Sequence, residues 1–350
     1  MPAPRSPAPP AAFAGIATVV LTLLGWSSIP LFLRFFTGYI DGWTANGWRY
    51  AFAAAIWAPA IVLALRRGTL PPWLWSAALV PSLFNALGQA AFAIAPYHVG
   101  PGLMTFSLRV QIVFVTAGAA LLFASERRIV RRPGFLAGVA VVILGTSGTI
   151  LLKDEGLRTG APAGGHETLG IALSIGSGLL YACYALSVRH YLRGVNPITA
   201  FAVISQYTAI ALLPPMVIFG RSAGMEVLSL PADILLYLAL SSIIGIGLGH
   251  TLYYVSIERL GVAVSAGVIQ LQPIIVAAAS TFLFNERMNG WQWLSGAAAI
   301  AGAAVILWTQ HRASRRPPAT PAEDLEAFKT LPVDAAVASA VAEKETHKAR

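Results

Sequence analysis

The sequence predicts an all-α integral membrane protein of ten transmembrane helices, arranged as two inverted five-helix repeats. Three observations lead there. The 350 residues are 56% hydrophobic and only 11% charged, with a mean hydropathy of +0.68. A soluble domain carries about 25% charged residues, so here the outer surface as well as the core must be apolar. The apolar residues also fall into ten runs, each near the ~20 residues that a spanning helix needs. Finally, Gly100–Glu126 and Gly261–Glu286 share a plan. Each opens on a Gly, carries two polar residues in a short block (Arg109-Val110-Gln111, then Gln270-Leu271-Gln272) and closes on a Glu-Arg pair.

Residues 1–12, rich in Pro and Ala, read as a disordered tail. The apolar run behind Arg5 continues past Leu24 to Phe36, longer than the ~7–15 residues of a signal h-region. The first span is expected at about Phe13–Leu33 and stops at Thr37-Gly38. The second, Trp43–Leu65, stops at Arg66-Arg67-Gly68, and the third, Trp73–Ala95, before Val99-Gly100-Pro101. The fourth covers Pro101–Phe123 and the fifth Pro133–Leu152. Lys153 to Thr168 is the longest break and divides the chain into halves. The sixth and seventh spans, Leu169–Val188 and Ile198–Phe219, flank Arg193-Gly194. The eighth, ninth and tenth are expected at Ala232–Ser256, Val262–Phe284 and Trp291–Thr309, the last two separated by Asn289-Gly290. The organisation is therefore a first five-helix repeat over 13–152, a linker over 153–168, a second repeat over 169–309 and a disordered tail over 310–350. With so little loop, nearly all backbone polar groups must be satisfied within helices.

Basic residues set the orientation. With the N-terminus inside, the inner loops hold Arg66 and Arg67, then Arg127, Arg128, Arg131 and Arg132, then Arg189 and Arg193, Arg259, and the cluster Arg312, Arg315 and Arg316. The outer loops hold only Lys153, Arg158, Arg221 and Arg287. This positive-inside bias places both termini, and the tail, in the cytoplasm of a bacterial inner membrane. It also accounts for the net charge of +9 without a nucleic-acid partner. The partners expected are the lipid bilayer, a small-molecule substrate and, as a candidate assembly, a second copy in a homodimer. The lone Cys183 has no second cysteine with which to form an internal disulfide.

A shift of about 160 residues aligns Gly88-Gln89 with Gly249-His250, Gly100 with Gly261, and Arg109-Val110-Gln111 with Gln270-Leu271-Gln272. Glu126-Arg127 then meets Glu286-Arg287. Five spans is an odd number, so the second half sits inverted relative to the first. Such repeats place a binding site near the midplane between halves that rock around it.

At these residues the sequence resembles the drug/metabolite transporter superfamily, and within it the EamA-type ten-helix carriers. The resemblance rests on Gly25-Trp26, on Asn46-Gly47-Trp48-Arg49-Tyr50, and on the doubled pattern of small residues, apolar run, Glu-Arg and a following Gly. It is most complete at Gln272-Pro273 and Asn285-Glu286-Arg287, and it covers about Phe13 to Trp308. One departure is that Arg109 and Val113 stand where the first repeat of that family often has a Pro-containing apolar segment. The resemblance implies a 5+5 bundle that moves small metabolites, often amino acids or drugs outward, without ATP and with no cofactor, metal or enzymatic activity. The lack of a Gly-x-x-x-x-Gly-Lys-Ser/Thr loop agrees with it.

Arg109 is the sharpest candidate for substrate binding. An arginine at mid-membrane costs about 2.5–3.5 kcal/mol on insertion scales and should face the bundle interior. There its fork of donors suits a carboxylate, although tying helix carbonyls and Gln111 together would also occupy it. Arg49, nearer the outer end of its helix, is a second candidate, with snorkelling as the favoured alternative. Gln111, Gln270 and Gln272 lie on the two related helices. Residues two apart point about 200° away from each other, so not all can face one cavity. Pro273 removes a helical hydrogen bond and frees a carbonyl.

Trp26, with Ser27, Ser28 and Pro30, suggests a flexible first helix. Tyr181 and Tyr184 share a face of the sixth span, and Tyr253 follows His250 by three. These aromatics could stack on a planar substrate or simply pack. Asn85 and Gln89, four apart, are candidate cavity polar groups. His250 is the only histidine well within a span and a candidate for carrying a proton. Glu126 and Glu286 read as interfacial caps or gate-like ion pairs. The glycines at 245, 247 and 249, and at 176 and 178, read as packing sites first and hinges second.

Every Asp and Glu lies in a loop, at a helix end or in the tail. An interior with Arg and no acid prefers anionic or zwitterionic cargo, so the expected function is export of amino-acid-like or other carboxylate-bearing solutes. The alternatives are a multidrug efflux carrier for neutral or cationic compounds and, remotely, an intramembrane serine protease built on Gly145-Thr146-Ser147-Gly148 with His250 as base.

Overall fold

The computed structural model describes residues 9–123, 127, 130–154, 160–260 and 262–314. Glu126, Gly261, Arg128 and the tail beyond 314 lie outside the described residues. Among the described residues, ten helices are long and apolar enough to cross a membrane: α1 (Phe13–Phe36), α2 (Gly42–Arg66), α3 (Trp73–Tyr97), α4 (Pro101–Leu122), α5 (Pro133–Leu151), α6 (Glu167–Tyr191), α7 (Ile198–Phe219), α8 (Ala232–Ile257), α9 (Val264–Leu283) and α10 (Gly290–Arg312). The protein is thus an all-α integral membrane protein. At the chain ends helix extends further than expected, starting at Pro9 and running to Ser314.

Local chemistry explains several helix starts. Asp41 caps α2, its Oδ1 accepting from Thr44 N at 2.9 Å, and Asn196 Oδ1 accepts from Ile198 N and Thr199 N at the start of α7. Pro101 and Pro133 occupy first-turn positions, where their missing N–H costs nothing. Asn289 and Gln292 cap each other reciprocally at the start of α10, with bonds of 2.8 and 3.1 Å. The first helix is unbroken despite Pro30. Ser27 and Ser28 donate back to Leu23 O and Gly25 O within it.

Three spans are irregular. The fourth is two half-helices, α4a (Pro101–Leu108) and α4b (Gln111–Leu122). The ninth is likewise split into α9a (Val262–Ile269) and α9b (Gln272–Leu283). Both breaks tighten into i→i+3 bonds: Arg109 N to Phe106 O at 3.1 Å, and Leu271 N to Val268 O at 3.0 Å. Pro273 accounts for the second; the first has no proline. The eighth span passes through a π-helical stretch at Ile243–Leu248, where Gly245 and Gly247 lie.

The helices pack in pairs: α1 on α8, α2 on α7, α3 on α6, α4a on α9b, and α5 on α10. The seam of α5 and α10 is the tightest. A Cβ at Gly145 would lie 2.6 Å from Ala299 N and Ser295 O, and one at Gly138 would lie 2.9 Å from Gly302 O. Backbones this close need small residues on both sides. Apolar side chains such as Phe282, Leu121 and Leu144 point outward at more than 70% exposure, the side lipid must cover.

Candidate functional site

An even number of spans leaves both chain ends at one end of the bundle and the linker of residues 152–166 at the other. On the linker side α4a packs against α9b, with Gly102 letting it approach Ala277; a Cβ there would lie 3.0 Å away. On the termini side the corresponding halves pack elsewhere: α4b on α6, and α9a on α1, α8 and α10. The bundle is therefore drawn together at the linker end of these two helices.

The two breaks meet at the middle. The Arg109 guanidinium donates through Nη2 to Gln272 Oε1. Gln272 is 5% exposed, and its Nε2 donates to Trp26 O at 2.7 Å. The Trp26 indole Nε1 donates to Gly245 O at 3.1 Å. Its ring lies 5.1 Å from that of Tyr253 and 5.4 Å from that of His250. Gly249 makes room for the indole, since a Cβ there would strike Trp26 Nε1. Five sequence-predicted residues, Arg109, Gln272, Trp26, Tyr253 and His250, thus form one cluster. Arg109 Nε is buried without a hydrogen-bond partner. The N-termini of α4b and α9b open at these breaks, so their partial positive charges add to that of the arginine.

Arg49, Asn85 and Gln89 gather in a second group. Arg49 is 1% exposed, so it does not snorkel: its position 49 faces the bundle rather than the interface. Its Nε donates to Ser241 Oγ at 3.1 Å, and Ser242 Oγ donates to its carbonyl at 2.6 Å, while Nη1 is buried without a partner. Asn85 Nδ2 donates to Thr208 Oγ1 at 3.0 Å and reaches Tyr50 Oη at 3.5 Å; Gln89 also bonds Tyr50. Sequence reasoning missed Tyr50, Thr208 and Ser241. The only available signal was Tyr50 beside Arg49, since a lone Thr or Ser in an apolar helix is unremarkable.

The remaining candidates lie apart. Gln111 sits against Gly178 of α6, whose added Cβ would be 3.5 Å from Gln111 Cβ. Gln270 lies within the α9 break, its Oε1 buried and unpartnered. Tyr184 and Tyr254 pack against the same apolar core cluster, and Tyr181 packs on Gly88 of α3. His250 stacks on Phe201 at 4.0 Å. The Gly145–Gly148 tetrad is the packing seam against α10, whereas the ring contacts of His250 are with Trp26, Phe201 and Tyr254.

Glu286 is a cap, but across the bundle. It is 2% exposed, and it accepts from Gly102 N at 2.8 Å through Oε2 and from Leu103 N at 3.0 Å through Oε1. These are the free donors of the first turn of α4a. Over it lies Gly160 of the linker, whose carbonyl accepts from Arg34 Nε at 2.5 Å.

Comparison with known proteins gives a consistent picture. Residues 168–308 match the EamA-like transporter family. No curated protein sequence matches the chain. Among solved structures 19 chains match. One, described only as the crystal structure of a protein, is 19% identical with a TM-score of 0.54, covering 87% of this chain and 98% of its own. At that identity the likeness concerns the fold alone.

Proposed function

We propose that this chain, a membrane transporter whose residues 168–308 belong to the EamA-like family, is a secondary exporter of small carboxylate-bearing solutes of the amino-acid type. The observation that carries this reading is Arg109 at the meeting of two broken helices, with Nε unpartnered and, among the described residues, no carboxylate to neutralise it. The cargo carboxylate takes the guanidinium fork from Gln272, and the aromatic wall of Trp26 and Tyr253 accepts its apolar part.

The pairing of helices supports two inverted repeats. Exchanging each span for the one five places away maps α2–α7, α4–α9 and α5–α10 onto themselves and α3–α6 onto α1–α8. With the arginine-rich loops in the cytoplasm of a bacterial inner membrane, the packed linker side faces outward and the separated halves face inward. In this state cargo enters from the cytoplasm, and rocking of the halves exposes it outside.

Proteoliposomes loaded with labelled amino acids provide the test. Flux through the wild type and its loss in Arg109→Ala is the expected result. Equal flux in the two proteins removes Arg109 from the mechanism. Flux confined to cationic dyes would replace this reading with multidrug efflux.

A further inference from the structure

The midplane cluster holds one of two interior arginines. Arg49 stands on the opposite side of the same scaffold. A Cβ on Gly245 would lie 3.4 Å from Arg49 Nη2, and the carbonyl of that same Gly245 accepts the Trp26 indole. The two guanidiniums are therefore joined through Arg109, Gln272, Trp26, Gly245 and Arg49 in sequence. Arg49 is 1% exposed with Nη1 unpartnered, and Arg109 Nε is unpartnered too.

Nothing of opposite charge faces either one. Among the described residues every Asp and Glu lies outside the spans or in their first turn: Asp41, Asp154, Glu167, Glu226, Asp233, Glu258 and Glu286. The groups around Arg49 are hydroxyls, from Ser241, Tyr50 and Tyr181, with the Asn85 amide one step away on Tyr50. These can orient a guanidinium and its ligand but cannot neutralise charge. Two buried, uncompensated cations each resist transfer from water. A singly charged cargo leaves one of them uncancelled when the site is occluded; a doubly charged cargo cancels both.

We propose that the transported solute is a dicarboxylate, one carboxylate held by Arg109 and the other by Arg49, with the Trp26 ring between the two heads. This rests on the reading of Arg109 as a carboxylate site and narrows its cargo to a dianionic class. Arg49 Nη1 supplies the free donor of the second subsite. Ser241 and Tyr50 hold the guanidinium and the neighbouring amides in place, as a binding fork requires. An acidic amino acid offers the same two carboxylates, but its ammonium leaves a single net negative charge, so it binds more weakly than the dicarboxylate of matching length.

The experiment is calorimetric titration of the full-length protein in nanodiscs with succinate, glutarate, adipate and aspartate, against butyrate and alanine. At least one dicarboxylate is expected to bind on the order of tenfold more tightly than its monocarboxylate counterpart, the worth of one added charge-assisted hydrogen bond. Arg49→Gln should abolish the dicarboxylate preference, so that mono- and dicarboxylate bind alike. Arg49→Lys, which keeps the charge without the fork, should fall between. The wild-type comparison stands alone if Arg49→Gln does not fold. Equal wild-type affinities for mono- and dicarboxylates overturn the proposal and leave the Arg109 site standing. Absence of any carboxylate binding overturns both.

Discussion

Replacing Arg109 by Gln removes a charged fork while keeping a polar side chain of moderate length. In the structure the guanidinium has one partner, Gln272 Oε1, and a free Nε. A hydrogen bond to a charged group is worth about 1.5–3 kcal/mol, which corresponds to roughly a 10- to 150-fold change in affinity. Cargo must displace Gln272 before it can bind, so the loss should lie in the lower half of that range. Arg109→Lys keeps the charge as a point and should lose less. The assay compares each acid ligand with its uncharged amide by titration in nanodiscs, for wild type and both variants. Wild type should prefer the acid, Arg109→Gln should bind acid and amide alike, and amide affinity should change little. If Arg109→Gln keeps the full preference for the acid, Arg109 does not recognise the carboxylate and the site has been misplaced.

Three further outcomes follow from the packing and the caps. Gly145→Ala pushes a methyl group into the Ala299 backbone and should cost about 1–3 kcal/mol, read as a lowered thermal transition of the purified protein; an unchanged transition would mean that α5 and α10 can slide apart freely. Asp41 is pushed up by burial, but the Thr44 hydroxyl and the amides of Arg221, Thr44 and Trp43 outweigh this and hold its pKa below the usual value. Its contribution is therefore present above the unfolded-state pKa and lost as pH falls through the folded one. Asp41→Ala should cost about 0.5–2 kcal/mol at neutral pH, with the gap to wild type closing in acid; a gap independent of pH would contradict the cap. Glu286→Ala leaves the amides of Gly102 and Leu103 without an acceptor, so hydrogen exchange at those two amides should quicken at fixed pH. Unchanged exchange would show that the carboxylate does not hold α4a.

The ten spans were legible because a bilayer imposes one length and one composition on each helix, and the structure places all of them within a few residues of expectation. The break at Gln270-Leu271 was foreshadowed by Pro273. The break at Arg109-Val110 was not, because no proline or glycine occupies it and the apolar run is continuous. Arg109, Gln272 and Trp26 could be named in advance because a polar or amphipathic residue deep in an apolar run is conspicuous. Their convergence could not, since residues 26, 109, 245 and 272 come from four helices whose rotation is set by packing. Arg49 shows the same limit. Its distance from the helix end suggested an interfacial arginine, while the glycine at 245 that opens space for it belongs to a helix almost 200 residues away.

The placement of charge along α4a ties the site to the motion that transport needs. This half-helix has an acceptor, Glu286, at its N-terminus and a cation, Arg109, at its C-terminus, the arrangement that its dipole favours. Both ends are fastened to the same neighbour, because Gln272 and Glu286 flank α9b. A cargo carboxylate that draws Arg109 away from Gln272 therefore undoes the midplane fastening of α4a to α9b, leaving the Glu286 cap to hold the linker side alone. Cargo and the fastening to Gln272 then compete for one guanidinium, so an empty site resists opening outward. In the exporter proposed above that linkage favours the loaded carrier over the empty one, with Arg109, the proposed binding residue, at a helix break.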